Sequence, residues 1–131
     1  MTSTESPNGD LPGDGVELTL PAHPQYIRLA RLAAADCGAR AGLVMEDLED
    51  LRIAVDELTL ALIEDVENPA SVTLRYSAIP GVVEVTGATT GDGSPVLADL
   101  ARTIVTAVVD EFELEQRDGS RHFRLVKRKK D

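Results

Sequence analysis

The stretch LRIAVDELTLALIED, residues 51–65, decides the fold of this chain. Together with the residues just before it, it places six aliphatic side chains at steps of four, three, four, three and four. The six are Val44, Leu48, Leu51, Val55, Leu58 and Leu62. Steps of three and four keep side chains on one face of an α-helix. The stretch therefore predicts a long amphipathic helix with one buried face.

One acidic residue in this helix, Glu57, stands in an otherwise largely aliphatic run. Moving a carboxylate out of water on the inner side of a helix is costly unless a partner or a function requires it there. Two interpretations are open at this point: Glu57 is a working catalytic base, or it is the remnant of one.

The rest of the chain alternates between strand and helix patterns. Strands are predicted over residues 16–20, 71–77 and 82–86 and in a closing hairpin over residues 112–126, and helices over residues 24–40 and 96–109. The last helix is predicted to turn one face inward, made of Leu97, Leu100, Ile104 and Val108. Residues 87–95 have the composition of a loop. This order predicts an α/β two-layer sandwich, in which a mixed, mostly antiparallel sheet is covered on one face by three helices.

The composition predicts one domain with short ends. Residues 1–15 are rich in Ser, Thr, Pro, Gly and Asp and are predicted to be disordered. Residues 16–126 form the predicted domain, and residues 127–131, KRKKD, are predicted to be a solvated basic tail. The one cysteine, Cys37, has no intramolecular disulfide partner and is predicted to be a small core residue of the first helix.

The formal net charge of −10, from 23 acidic and 13 basic residues, argues against direct nucleic-acid binding. An acidic surface attracts basic protein partners, although it can equally serve only to keep the protein in solution. No stretch has the length and apolarity of a membrane span, and the N-terminus lacks a signal pattern. We therefore expect a cytoplasmic protein without a membrane partner.

A family resemblance is carried by this order of elements together with two segments, LPAHPQYIRLARL (residues 20–32) and DLEDLRIAVDELTLALIED (residues 47–65). The chain resembles the RsbW-type anti-sigma-factor serine kinases, which belong to the histidine-kinase-like (GHKL) ATPase superfamily, and in particular their short, divergent actinobacterial members. The resemblance covers residues 16–126 and implies a Bergerat-type ATPase fold. It also implies that Glu57 matches the general base that prepares a hydroxyl group for attack on ATP.

Three features of the family's nucleotide site are nevertheless absent. The Mg²⁺-coordinating asparagine of the family corresponds to Ala61, which has no oxygen to offer a metal. The adenine-binding aspartate corresponds to Gly87, and the glycine after it corresponds to Thr89. Asp92 is either a displaced copy of that aspartate or simply part of the turn Gly91–Gly93.

The third feature is the glycine-rich stretch that approaches the phosphates, whose places are taken by Ala98, Asp99 and Ala101. The segment over residues 87–95 is also too short to be the family's ATP lid. We therefore expect no cofactor and no metal, with ATP and Mg²⁺ relevant only if the chain is an active kinase after all. On this interpretation Glu57 is a relic or a structural carboxylate.

The resemblance also implies a partner-binding surface on the first helix. Arg31 matches the family arginine that contacts both partners, and Arg28 and Arg40 lie near the same helix. The alternative is that Arg31 only pairs with a neighbouring carboxylate.

Three functions remain open. The first is an anti-sigma factor that sequesters an alternative sigma factor of the stress or sporulation type and is released by an anti-anti-sigma protein with a STAS domain. The second is an active anti-sigma serine kinase that phosphorylates that releasing protein. The third is an α/β interaction module unrelated to transcription. The family also pairs through this domain, so a homodimer is plausible.

Overall fold

The computed structural model describes residues 15–66, 71–91 and 93–130. The elements, in chain order, are β1 (Gly15–Pro21), a short 3₁₀ helix (Pro24–Tyr26), α1 (Ile27–Arg40), α2 (Met45–Ile63), β2 (Ser71–Ile79), β3 (Val82–Thr90), α3 (Asp99–Val108), β4 (Glu111–Arg117) and β5 (Ser120–Arg128). The disorder predicted for residues 1–15 falls on a segment of which only Gly15 is described, and Asp92 also lies outside the described residues.

The sheet has five strands in the order β1-β2-β3-β5-β4, and each of its four pairings is antiparallel. The predicted two-layer α/β sandwich is confirmed, although the described sheet is wholly antiparallel where a mixed one was expected. Among the helices, α1 packs on β2 and β3, α2 packs on β3 and β5, and α3 lies beside α2 and β4. The helix α2 therefore sits at the centre of the helical layer.

Four of the six residues in the predicted apolar stripe form the middle of the core, whereas Val44 lies before the start of α2 and is 46% exposed. Leu51, Val55, Leu58 and Leu62 are fully buried. Small residues on α1 allow a close approach to the sheet, since Ala30 and Ala34 are also fully buried. At this contact the Tyr76 hydroxyl of β2 donates a 2.9 Å hydrogen bond to the carbonyl of Ala30. Burial raises the pKa of Tyr76, so this hydroxyl stays protonated and remains a donor.

Two predicted boundaries are wrong. The strand β3 continues through Thr90, so the first four residues of the predicted loop belong to the sheet. The helix α3 begins at Asp99 rather than at residue 96, and its buried side is formed around Val105. Leu100, which was predicted to face inward, is 74% exposed as a consequence.

The predicted basic tail is also corrected by the structure. The strand β5 runs to Arg128, and the side chain of Lys127 is only 4% exposed. Lys127 and Arg128 therefore extend the sheet instead of leaving it. Strand alternation explains the burial, because Lys127 is in phase with the inward-facing Phe123 and Leu125.

Candidate nucleotide site and partner-binding cleft

The helix α2 carries the two positions at which the family resemblance expects a base and a metal ligand. Glu57 is half-buried, and no hydrogen bond or ion pair joins it to another described residue. Ala61, one turn later, is 2% exposed and presents only a methyl group. Mg²⁺ takes oxygen ligands, so this turn of α2 offers one carboxylate and no amide beside it.

The strand β3 carries the position where the adenine-binding aspartate is expected, and here it is Gly87. The ring of Phe123, on the paired strand β5, lies directly against this glycine. A Cβ atom built on Gly87 would stand 2.4 Å from Cε2 of Phe123, and the ring is 2% exposed. Any side chain at position 87 therefore requires the buried ring to move. The nearby Thr89 hydroxyl is already engaged, since it donates a 2.6 Å hydrogen bond to the carbonyl of Ser71.

A buried arginine that the sequence analysis missed connects β5 to the end of α2. Arg121 is 4% exposed, and its Nη1 donates a 2.7 Å hydrogen bond to the carbonyl of Glu64. The same nitrogen lies 3.4–3.5 Å from the carbonyls of Leu62 and Ala61. The last carbonyls of a helix have no partner within the helix and carry partial negative charge, so a guanidinium group caps them well.

Arg121 also holds the connection between β3 and α3, which is made of residues 91–98. Its Nε donates a 3.2 Å hydrogen bond to the carbonyl of Gly93. The guanidinium group thus bridges the end of α2 and this connecting segment. Alternation along β5 was the signal for it, because Arg121 shares the inward phase of Phe123 and Leu125.

The other end of β5 reaches the first turns of α2. The Nζ of Lys127 lies 3.2 Å from Oδ2 of Asp50 and 3.8 Å from Oδ1 of the fully buried Asp47, and it donates a 2.9 Å hydrogen bond to the carbonyl of Val108. The backbone N–H of Lys130 donates to the second oxygen of Asp47 at 3.2 Å. The end of β5 is therefore tied to α2 by the charge of Lys127, and Lys130 beyond it by a backbone hydrogen bond.

The start of α3 has no glycine cradle. Ala98 occupies the N-cap position, makes no side-chain hydrogen bond there, and is followed by the exposed Asp99 in the first turn. The carboxylate of Asp99 stands where an anion would approach a helix N-terminus, and like charges repel. Among the described residues, no group of His, Cys, Asp and Glu side chains could hold a metal ion.

A polar cleft of about 300 Å³ lies between the start of α1 and the middle of α2. Its lining includes two predicted partner-binding residues, Arg28 and Arg31, together with Asp56 and Leu60. Nη1 of Arg31 lies 3.1 Å from Oδ2 of Asp56, so Arg31 has the carboxylate neighbour of the alternative interpretation. Arg28 is exposed and makes no ion pair with any described residue. Arg40 pairs with Asp36 one turn away and does not line the cleft.

Asp56 is held in this cleft at some electrostatic cost. Burial raises the pKa of its carboxyl, the positive charge of Arg31 opposes that rise, and the negative charge of Glu57 adds to it. Its Oδ1 is buried and has no hydrogen-bond partner. Arg31 therefore satisfies only one of the two carboxylate oxygens.

Cys37 lies half-buried on α1, beside an apolar groove of about 190 Å³ that is also lined by Val16, Ala41 and Ile79. Burial raises the pKa of its thiol, which keeps it protonated and unreactive at neutral pH. No helix among the described residues is both long and apolar enough to cross a bilayer.

The arrangement of the elements matches the fold that the family resemblance implied: a two-layer sandwich with α2 at the centre of its helical layer, followed by an antiparallel hairpin. A chain from Mycobacterium tuberculosis that contains RsbU and RsbW domains aligns with a TM-score of 0.69 at 19% identity, over 89% of the present chain and 32% of that chain. This likeness shows the fold.

Sequence relatives agree with the fold. The chain is 33% identical over 82 residues to the serine-protein kinase RsbW of Bacillus velezensis, which covers 60% of the chain and 51% of the relative. It is 35% identical over 75 residues to the protein of the same name from Listeria monocytogenes, covering 55% and 48%. No protein-family model matches. The chain spans about half the length of these curated relatives. The chain is RsbW-like in both sequence and fold, as the sequence analysis predicted.

Proposed function

We propose that this chain is an anti-sigma factor that works by sequestration and does not use ATP. The observation that carries the proposal is the packing beside two positions at which the family resemblance expects nucleotide-site residues. Phe123 lies against Gly87, and Arg121 bridges the end of α2, where Ala61 stands, and the β3–α3 connection.

Phosphoryl transfer depends on a metal ion and on exact positioning of the phosphates. Ala61 has no side-chain oxygen for Mg²⁺, and the start of α3 presents the carboxylate of Asp99 instead of glycine N–H groups. Glu57 keeps the position of a base, but a base alone supplies neither requirement. These residues support a protein that has kept the fold of a kinase and lost its ligand chemistry.

The partner surface of the proposal is the cleft of Arg28 and Arg31. The two guanidinium groups provide local positive charge in a protein of net charge −10. The net negative charge of the whole chain complements the basic DNA-reading surfaces of a sigma factor. On this proposal an anti-anti-sigma protein with a STAS domain competes for an overlapping face and releases the sigma factor. On this proposal the sigma factor is bound and released in the cytoplasm, where RNA polymerase is present. The protein acts there as a homodimer.

The test is retention of purified alternative sigma factors of the source organism by the immobilised chain at moderate salt. We expect one sigma factor to be retained, and we expect Arg31→Ala to weaken its retention by about tenfold or more, since an arginine at the centre of an interface contributes strongly. Arg40→Ala is the matched control because Arg40 lies on the same helix, outside the cleft. Failure to retain any sigma factor would refute the proposal.

A second candidate function, an active serine kinase, is supported by two observations. The curated relatives carry the name serine-protein kinase, and Glu57 is present at the family's base position. Calorimetry with ATP and Mg²⁺ separates the two. A dissociation constant tighter than about 1 mM, which corresponds to roughly 4 kcal/mol, would favour the kinase. Glu57→Gln should then abolish phosphate transfer and leave sigma-factor retention unchanged.

A further inference from the structure

The pair formed by Arg31 and Asp56 joins two helices at the mouth of the α1–α2 cleft. The side chains are 36% and 27% exposed, so solvent and a docking protein can reach both. Arg31 presents one nitrogen to one oxygen at 3.1 Å, whereas a guanidinium group can bind a carboxylate through two parallel hydrogen bonds. The pair therefore leaves part of the binding capacity of Arg31 unused.

Asp56 is also poorly satisfied by this contact. Its second oxygen is buried and has no hydrogen-bond partner, a situation that costs free energy. On the same helix, Glu57 adds negative charge near it and Arg52 adds positive charge. A carboxylate from outside that reached Arg31 with better geometry would free Asp56 to turn toward water, so the internal pair is easy to exchange.

Arg28 makes such an exchange more favourable. It lies one turn before Arg31, lines the same cleft and is exposed, and no described residue forms an ion pair with it. An incoming acidic side chain would therefore meet two guanidinium groups, one of which is already bound to Asp56.

From this arrangement we infer that Asp56 is an internal competitor for the acidic side chain with which a partner protein binds Arg31. This inference rests on the proposed function. In the free protein Asp56 holds Arg31 in the cleft, and in the complex a partner carboxylate takes its place. Asp56 thereby sets how tightly the partner binds without contacting the rest of it, and it acts through Arg31 as a positioning residue.

The experiment measures the dissociation constant of the retained sigma factor for the wild-type chain and for Asp56→Asn. Asparagine keeps the size of the side chain and removes the charge. Partly exposed ion pairs are weak, so we expect the variant to bind about two- to fivefold more tightly. Asp36→Asn is the matched control: it makes the same substitution on α1, at an exposed pair with Arg40 outside the cleft. We expect its dissociation constant to stay within twofold of the wild type.

A structural role for Asp56 is excluded by a double-mutant cycle. In the Arg31→Gln background, Asp56→Asn should no longer tighten binding, because the residue it frees is absent. Equal affinities of the wild type and Asp56→Asn, or a tightening that persists without Arg31, would overturn the inference and leave the proposed function standing. If no sigma factor binds any variant, the proposed function itself is refuted.

Discussion

The two ends of α2 are both attached to β5 by a buried cation, and the two attachments are built differently. At the C-terminal end Arg121 binds backbone carbonyls directly. At the N-terminal end Lys127 binds the carboxylates of Asp50 and Asp47. A helix carries partial negative charge at its C-terminus and partial positive charge at its N-terminus. A cation is therefore stabilised directly by the C-terminus of the helix, whereas at the N-terminus it requires acidic side chains.

The spacing along β5 makes both attachments possible. The six residue-to-residue steps from Arg121 to Lys127 span about 20 Å, and the helix from Asp47 to Ala61 spans about 21 Å. Between the two cations, Phe123 and Leu125 face the helix and are buried. The inward-facing side chains of β5 thus lie along the whole length of α2. Only the two at the ends of the helix, Arg121 and Lys127, are charged.

The largest effect is expected at the N-terminal attachment. Lys127→Ala leaves Asp47 buried with an uncompensated charge, and breaking such a pair costs about 3–5 kcal/mol in the free energy of unfolding. Urea denaturation monitored by circular dichroism measures this loss. Lys129→Ala is the control, because Lys129 is exposed and its side chain pairs with no described residue. A loss below about 1 kcal/mol for Lys127→Ala would show that the cluster is not a buried attachment.

At the C-terminal attachment we expect a smaller loss. Arg121→Met keeps the length of the side chain but removes the bonds to the helix carbonyls, which costs about 2–3 kcal/mol because the donor is charged. Hydrogen exchange should accelerate in the last turn of α2 and around Gly93, and should stay unchanged in the first turn. Arg117→Met is the control, since its pair with Glu115 is exposed. Uniformly faster exchange over α2 would contradict two independent attachments.

Between the two attachments, Gly87→Ala tests the contact with Phe123. The added methyl group overlaps the ring, and overpacking of a core costs about 1–3 kcal/mol. We expect Phe123→Leu in the same chain to recover part of that loss, so that the two substitutions are not additive in denaturation experiments. Strict additivity would mean that the ring and position 87 do not compete for space.

The smallest effect is expected in the middle of α2, where the pair of Asp56 and Arg31 is partly exposed. Because the pKa of Asp56 in the folded protein lies above its ordinary value of 3.8, the stability linked to this carboxyl is complete below that pH and decreases as the pH rises through the raised value. Asp56→Asn removes this pH dependence. Relative to the wild type, the free energy of unfolding of the variant should therefore be a few tenths of a kcal/mol higher at pH 7 than it is at pH 4. The urea midpoints of both proteins at the two pH values measure this difference. If the wild type instead becomes more stable relative to the variant as the pH rises, the predicted direction is wrong.

Much of the fold followed from periodicity, whereas the charged attachments did not. The order of elements and the stripe of α2, apart from the exposed Val44, were predicted correctly because steps of three and four are a strong signal over nineteen residues. Lys127 was assigned to a tail because the run KRKKD has the composition of a solvated end. Its burial depends on where β5 ends and on the contact with Asp47 of the facing helix α2. Both are features of the tertiary structure, which a local sequence pattern does not contain.

The site residues show the same limit. Ala61 and Gly87 could be identified by matching a motif. The side chains that lie beside them could not be identified in this way. Phe123 and Arg121 come from a strand more than thirty residues beyond Gly87, and only the pairing of β3 with β5 brings them there. Leu100 was misplaced because the face was assigned in phase with Leu97, which lies before the start of α3, whereas the buried side of the helix is formed around Val105.

The contact between Gly87 and Phe123 has a consequence for the history and the engineering of such a chain. A carboxylate at position 87 cannot be introduced first, because the buried ring already occupies the space of its Cβ atom. Shrinking the ring first opens a void whose cost reaches about 3–5 kcal/mol for truncation to alanine. Each order of steps passes through a weakened protein, so a carboxylate at position 87 is reached by a coordinated pair of changes and not by one substitution at a time.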